Sequence, residues 1–212
     1  GPFQVAPPGK TPELLAVAQT ADGALYVGTQ TQGVLMLQNQ SLVPPPWAAS
    51  LGDSNIGVVL GGAHGELWLG GRKGIHRVVG GELQHLGPKD GFPGERIQAL
   101  AQDREGNLWV GGWRDGLIRV SNGKFRGFGR AAGLPHDTVL AVAEDPQGRL
   151  WVGTNEGLAR LDPGGINPLD GINGQLSALK EIKDLTWDSQ GDLWLSNRRG
   201  LFRLHGDKLL PV

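Results

Sequence analysis

Short apolar runs of four or five residues, separated by turns rich in Gly, Asp and Asn, fill the chain from residue 14 onward. Residues 139–169 show the pattern most clearly. Val139-Leu140-Ala141-Val142-Ala143 reads as a strand A, Leu150-Trp151-Val152-Gly153 as B, Leu158-Ala159-Arg160-Leu161 as C and Ile166-Asn167-Pro168-Leu169 as D. Runs A and B are nearly all apolar, as in strands covered on both faces. Run D is more polar and holds Pro168, which suits an outer edge strand.

This unit recurs. The aromatic of strand B stands at Tyr26, Trp68, Trp109, Trp151 and Trp194, at intervals of 42, 41, 42 and 43 residues. A Gly precedes each by three positions (Gly23, Gly65, Gly106, Gly148, Gly191), and a second Gly opens each strand C (Gly33, Gly74, Gly116, Gly157, Gly200). Strand C then carries Arg77, Arg119, Arg160 or Arg203, with Met36 in the first copy. A unit of ~40 residues cannot shield both of its faces, so units must stack on one another. Radial stacking covers the faces and leaves only short edges.

The prediction is an all-β, single-domain β-propeller over 1–212 with five four-stranded blades. Its repeats fall near 14–55, 56–96, 97–138, 139–181 and 182–212. Phe3-Gln4-Val5-Ala6 reads as an additional outer strand, and Lys208–Val212 is also D-like. One of these ends is expected to seal a closed five-blade ring. The alternative is a run of blades from a larger, for example seven-bladed, propeller.

Composition narrows the function. Lys+Arg 20 against Asp+Glu 21, with no basic stripe, argues against a nucleic-acid partner. No Cys is present, which excludes disulfides, thiol catalysis and thiolate metal sites. No apolar run approaches ~18 residues, so no direct membrane insertion is expected. Gly1-Pro2 resembles the pair left after tag removal, so the lack of a visible targeting segment locates nothing.

Residues 145–161 and 103–120, with the Gly133-Leu134-Pro135 linker before the next strand A, resemble two-component regulator propeller repeats. The first copy departs at Tyr26, the second at Gly62, where Asp103, Asp145 and Asp188 stand in later copies, and the fifth at Ser196-Asn197. The resemblance implies a bacterial sensor propeller in the periplasm or outside the cytoplasm. Such blades belong to receptors with histidine kinase or diguanylate cyclase output, and some of them bind oligosaccharides. The motif does not identify a ligand, since fold does not fix function.

The five histidines, His64, His76, His85, His136 and His205, occupy unlike places in the blade. Neither a metal site nor a catalytic His pair is therefore expected, and the chain is read as a non-enzyme with no cofactor. The repeated Asp103, Asp145 and Asp188 are expected to bond their own turns. The Arg series is expected to pack its stems and solvate its tips.

Specificity is sought where the repeats disagree. The B–C loops supply Arg72, Lys73, Trp113, Arg114, Asn155 and Arg198, and the D–A loops supply Asp53, Phe92, Arg96 and His136. Arg72, Trp113, Arg114, His136, Asn155 and Arg198 are the candidate ligand-binding residues, since guanidinium groups and an indole suit a small anionic or carbohydrate ligand. A scaffold presenting this face to a protein partner is the alternative. A lectin or a streptogramin-lyase-like enzyme fits less well.

Overall fold

The computed structural model describes residues 12–169, 179–206 and 208–212. The expected outer strand at 3–6 lies outside the described residues. Two compact units divide the chain, Gly1–Ile97 and Gln98–Val212.

In the first unit, β1 (Leu14–Gln19), β2 (Leu25–Thr29), β3 (Val34–Gln38) and β4 (Ser41–Val43) form one antiparallel sheet in chain order. A second sheet follows from β5 (Ile56–Gly61), β6 (Leu67–Gly71), β7 (Ile75–Val79) and β8 (Glu82–Leu86). Between them lies an apolar layer built from Val34, Ile56, Val59, Leu67 and Leu69, closed by Leu51 from the connecting loop. Leu69 and Ile75 are fully buried. This is the two-sided burial that the continuous apolar runs require.

The third sheet begins at the unit boundary: β9 (Ile97–Gln102), β10 (Leu108–Gly112), β11 (Leu117–Ser121) and β12 (Lys124–Phe128). The fourth comprises β13 (Val139–Glu144), β14 (Leu150–Thr154), β15 (Gly157–Asp162) and β16 (Gly165–Pro168). The fifth comprises β17 (Asp184–Trp187), β18 (Leu193–Asn197), β19 (Gly200–His205) and β20 (Lys208–Pro211). Lys208–Pro211 thus completes its own sheet as strand D, paired with β19. Every sheet is a four-stranded up-and-down blade, so the chain is an all-β propeller of five blades.

Two local features fix the loops. The turn glycine before each strand-B aromatic has φ between +83° and +88° (Gly23, Gly65, Gly106, Gly148, Gly191), a region closed to most side chains. The D–A loops send apolar residues into the core: Leu51, Phe92, Leu134, and Leu179 with Ile182. Phe92, expected on the polar loop face, is instead fully buried. It is an anchor of the loop, doing what Leu134 of the Gly-Leu-Pro linker does one blade later.

Candidate functional site

Within the second unit, loops from two blades and their connections line an open hollow of about 300 Å³. His136 comes from the β12–β13 loop, Asn155 and Glu156 from the β14–β15 turn, Lys180 and Glu181 from the segment before β17, and Asn197–Arg199 from the β18–β19 turn. Backbone bonds hold these loops together: Asn155 N–H donates to Thr138 O at 3.1 Å, and Glu181 N–H to Asn155 O at 2.9 Å. Three of the six expected residues, His136, Asn155 and Arg198, therefore share one cavity.

Its charge is mixed with a cationic surplus. Glu181 pairs with Arg198. Glu156 reaches Arg130 at 3.8 Å, and Lys180 and Arg199 add two further cations to the lining. His136 Nδ1 accepts the Thr138 N–H at 2.9 Å, so the neutral ring carries its proton on Nε2.

The first unit has its own, larger hollow of about 720 Å³, where Arg72 lies with Lys73, Gln30, Gln32, Ser54 and Asn55. Asn55 Nδ2 donates to Gln30 O at 3.0 Å and Lys73 Nζ to Gly52 O at 2.6 Å. Asp53 is buried, and its carboxylate accepts the backbone N–H groups of Asn55 and Lys73, each at 3.0 Å. Its role is to tie one loop to the next. Trp113 and Arg114 line neither hollow. Trp113 is half-buried, with its carbonyl 3.3 Å from the Thr138 hydroxyl, and Arg114 is exposed.

One expectation about the histidines fails. His76 and His85 are cross-strand partners on β7 and β8. Their Nδ1 atoms lie 3.3 Å apart and their ring centroids 4.7 Å. Unlike places in the blade kept the rings apart on paper, but strands C and D are adjacent and their side chains alternate in step. His76 is 2% exposed, and its Nε2 is buried without a hydrogen-bond partner. Such an orphaned group costs about 1–3 kcal/mol. Burial, then the neighbouring His85 ring, lowers the His76 pKa from 6.5 to about 4; Asp53 opposes this more weakly, and Lys73 adds to it.

The family model described as "Two component regulator propeller" matches residues 91–114 and 133–156. Two stretches of the chain are thus similar to two component regulator propeller repeats. No curated protein sequence matches it. Among solved structures it is similar to the extracellular domain assigned to the one component system BT4673 of B. thetaiotaomicron, at 21% identity and a TM-score of 0.80. That match covers 100% of this chain and 29% of the other. The extracellular domain assigned to the hybrid two component system BT3049 of the same organism is similar at 19% identity and a TM-score of 0.78, covering 96% of this chain and 28% of that one. The chain therefore spans under a third of these relatives. Virginiamycin B lyase from Staphylococcus aureus is similar at 14% identity and a TM-score of 0.73, covering 96% and 71%. At these identities the likeness is one of fold.

Inside the blades, one recurring arrangement explains the spacing of the Asp and Trp positions. Asp103 Oδ2 accepts the Trp109 indole N–H at 2.7 Å, Asp145 Oδ2 that of Trp151 at 2.9 Å, and Asp188 Oδ2 that of Trp194 at 2.8 Å. The other oxygen of each carboxylate accepts N–H groups of its own turn, as expected. The repeated arginines do more than pack their stems. Each is the cross-strand partner of the blade's tryptophan and places its guanidinium over that ring: Arg77 on Trp68 at 5.2 Å, and Arg119, Arg160 and Arg203 at 5.7 Å. The sequence signal for both contacts was the fixed offset of Asp and Arg from Trp, which went unread as contact.

Proposed function

We propose that this chain is the ligand-binding part of an extracytoplasmic sensor and acts by binding, without catalysis. The 300 Å³ hollow in Gln98–Val212 is its site for a small anionic ligand, such as an acidic sugar. One observation carries this reading: His136, Asn155 and Arg198, chosen because their loops break the repeat, meet in one cavity with Lys180 and Arg199. The volume is at the lower end for small-molecule sites, and planar Arg groups suit carboxylates. Among the described residues, the hydrogen bond that fixes the His136 ring is to a backbone N–H, where a general base would be oriented by a carboxylate. The likeness to extracellular domains of sensor systems supports the location and role.

The test is a thermal-shift series with a hexuronate, the matching neutral hexose and inorganic phosphate. The hexuronate should raise the melting temperature, and Arg199→Ala or Lys180→Ala should abolish that rise while the unliganded melting temperature stays within a degree or two. Equal shifts in wild type and variants would remove this hollow from the site. A second reading, a scaffold for a protein partner, draws on the exposed Leu14, Leu15 and Val17 of β1. It requires partner capture to be lost in Val17→Asp and kept in Arg199→Ala.

A further inference from the structure

The histidine pair stands where every other blade is apolar. His76 faces His85 across β7 and β8. The same cross-strand positions hold Ile118 and Gly127 in the third blade, Ala159 and Pro168 in the fourth, and Phe202 and Pro211 in the fifth. In the first blade, Leu35 occupies the strand-C position and is buried. A scaffold position filled by carbon elsewhere has therefore acquired imidazole on both strands at once. The inner ring is kept buried with one nitrogen unpartnered, so packing alone does not account for it.

We propose that His76 and His85 form a two-histidine chelate for a borderline divalent transition metal, with Zn²⁺ the representative ion. Two nitrogens each about 2.0–2.1 Å from a tetrahedral zinc are separated by roughly 3.3–3.4 Å. The Nδ1–Nδ1 distance here is 3.3 Å. The two nitrogens already stand at the spacing a metal requires, and a metal bound by both Nδ1 atoms takes the place of any proton held between them. Imidazole suits Zn²⁺, Cu²⁺ and Ni²⁺ and does not suit Ca²⁺ or Mg²⁺. His85 is exposed, which leaves the outer coordination positions to water or to a ligand donor. Being held on adjacent strands, the rings are prealigned and pay little ordering entropy on binding.

The test is isothermal titration of the chelator-treated 212-residue chain with Zn²⁺, followed through both rings by long-range ¹⁵N–¹H spectra. One equivalent should bind, with the largest shifts at His76 and His85 Nδ1. His85→Gln removes an exposed ligand and spares the core, and should weaken binding at least about tenfold, the low end of what losing even an outer partner of a metal ligand costs. A triple variant, His64→Asn, His136→Asn and His205→Asn, keeps the pair and should bind like wild type. Unchanged affinity in His85→Gln, or binding lost in the triple variant, would overturn the assignment, as would shifts confined to other rings.

Discussion

The indole N–H of Trp151 donates to Asp145 Oδ2 at 2.9 Å, and both side chains are within 5% of full burial. The other carboxylate oxygen, Oδ1, accepts the N–H groups of Gln147 and Arg149, and Arg149 Nε lies 2.6 Å from Oδ2. Six residues of separation thus become one bonded corner that joins the A–B turn to strand B.

Asp145→Ala should therefore cost about 2–4 kcal/mol, because it orphans the indole and two backbone donors together. Burial by itself would raise the Asp145 pKa, but the bonds from Trp151 and Arg149 outweigh it and hold the group below its ordinary 3.8. The contribution of a carboxylate lowered in this way is complete above the unfolded value and is lost as pH falls through the folded one. Urea denaturation between pH 7 and pH 2.5 should show wild type losing this increment at the acid end. Asp145→Asn, with no charge to titrate there, should show a shallower acid limb.

The second blade lacks this corner, and its tryptophan records the loss. Gly62 stands in the Asp position, and Trp68 Nε1 is buried without a partner. Glu66 fills part of the gap: its carboxyl carbon, Cδ, lies 2.4 Å from where a Gly62 Cβ would be, and Oε2 accepts the His64 N–H at 3.0 Å. Gly62→Asp alone should destabilise, since it forces two carboxyl groups into one site. Gly62→Asp with Glu66→Asn recreates the Asp103–Asn107 turn and should stabilise by about 1 kcal/mol, in the range of other local repairs. Thermal denaturation of the three proteins decides the sign of each change.

How far the sequence could be read follows from what repeats. Backbone periodicity was legible because turn glycines and the strand-B aromatic must recur for blades to stack, so all four strands of residues 139–169 form within a residue or two of expectation. Contacts across strands were harder. The Trp151–Arg160 stack depends on register, which a linear reading does not display until the B–C hairpin is drawn. The His76–His85 pair was missed for the same reason. Among loop residues, the break in the repeat singled out six positions, of which His136, Asn155 and Arg198 line one hollow. It could not tell Phe92, a buried anchor, from an exposed loop aromatic, because burial of a loop side chain is decided by the blade beneath it.

Arg160 tests how much the repeated arginine adds. Its guanidinium lies 5.7 Å from the Trp151 ring centre, with Nε 3.0 Å from Asp162 Oδ1 and a terminal nitrogen 3.0 Å from Oδ2. Both side chains are partly screened by solvent, with exposures of 28% and 20%. Arg160→Met, the residue of the first blade at this position, should cost about 0.5–1.5 kcal/mol. Arg160→Lys keeps the charge but loses the planar fork that stacks and chelates at once, so it should recover less than half of that loss. Chemical denaturation of the two variants separates charge from geometry.

Strand B of a blade approaches strand A of the next, or the segment leading into it, through a glycine, and the nature of the opposing atom sets the expected penalty there. A Cβ on Gly28 would meet the Ile56 carbonyl oxygen at 2.5 Å; on Gly153 it would meet Ile182 Cγ2 at 2.7 Å and the Ile182 carbonyl at 3.1 Å; on Gly111 it would meet Val139 Cγ1 at 2.6 Å and Ala99 Cβ at 3.0 Å. None of the three has a positive φ, so alanine fits the backbone and the penalty is steric. A carbonyl in a paired strand cannot rotate aside without breaking its ladder, whereas a valine methyl can shift by a few tenths of an ångström. Overpacking of this kind costs about 1–3 kcal/mol. Gly28→Ala should lie at the top of that range, Gly153→Ala in the middle and Gly111→Ala at the bottom. Urea midpoints in any other order would show that blade spacing is set by something other than this backbone contact.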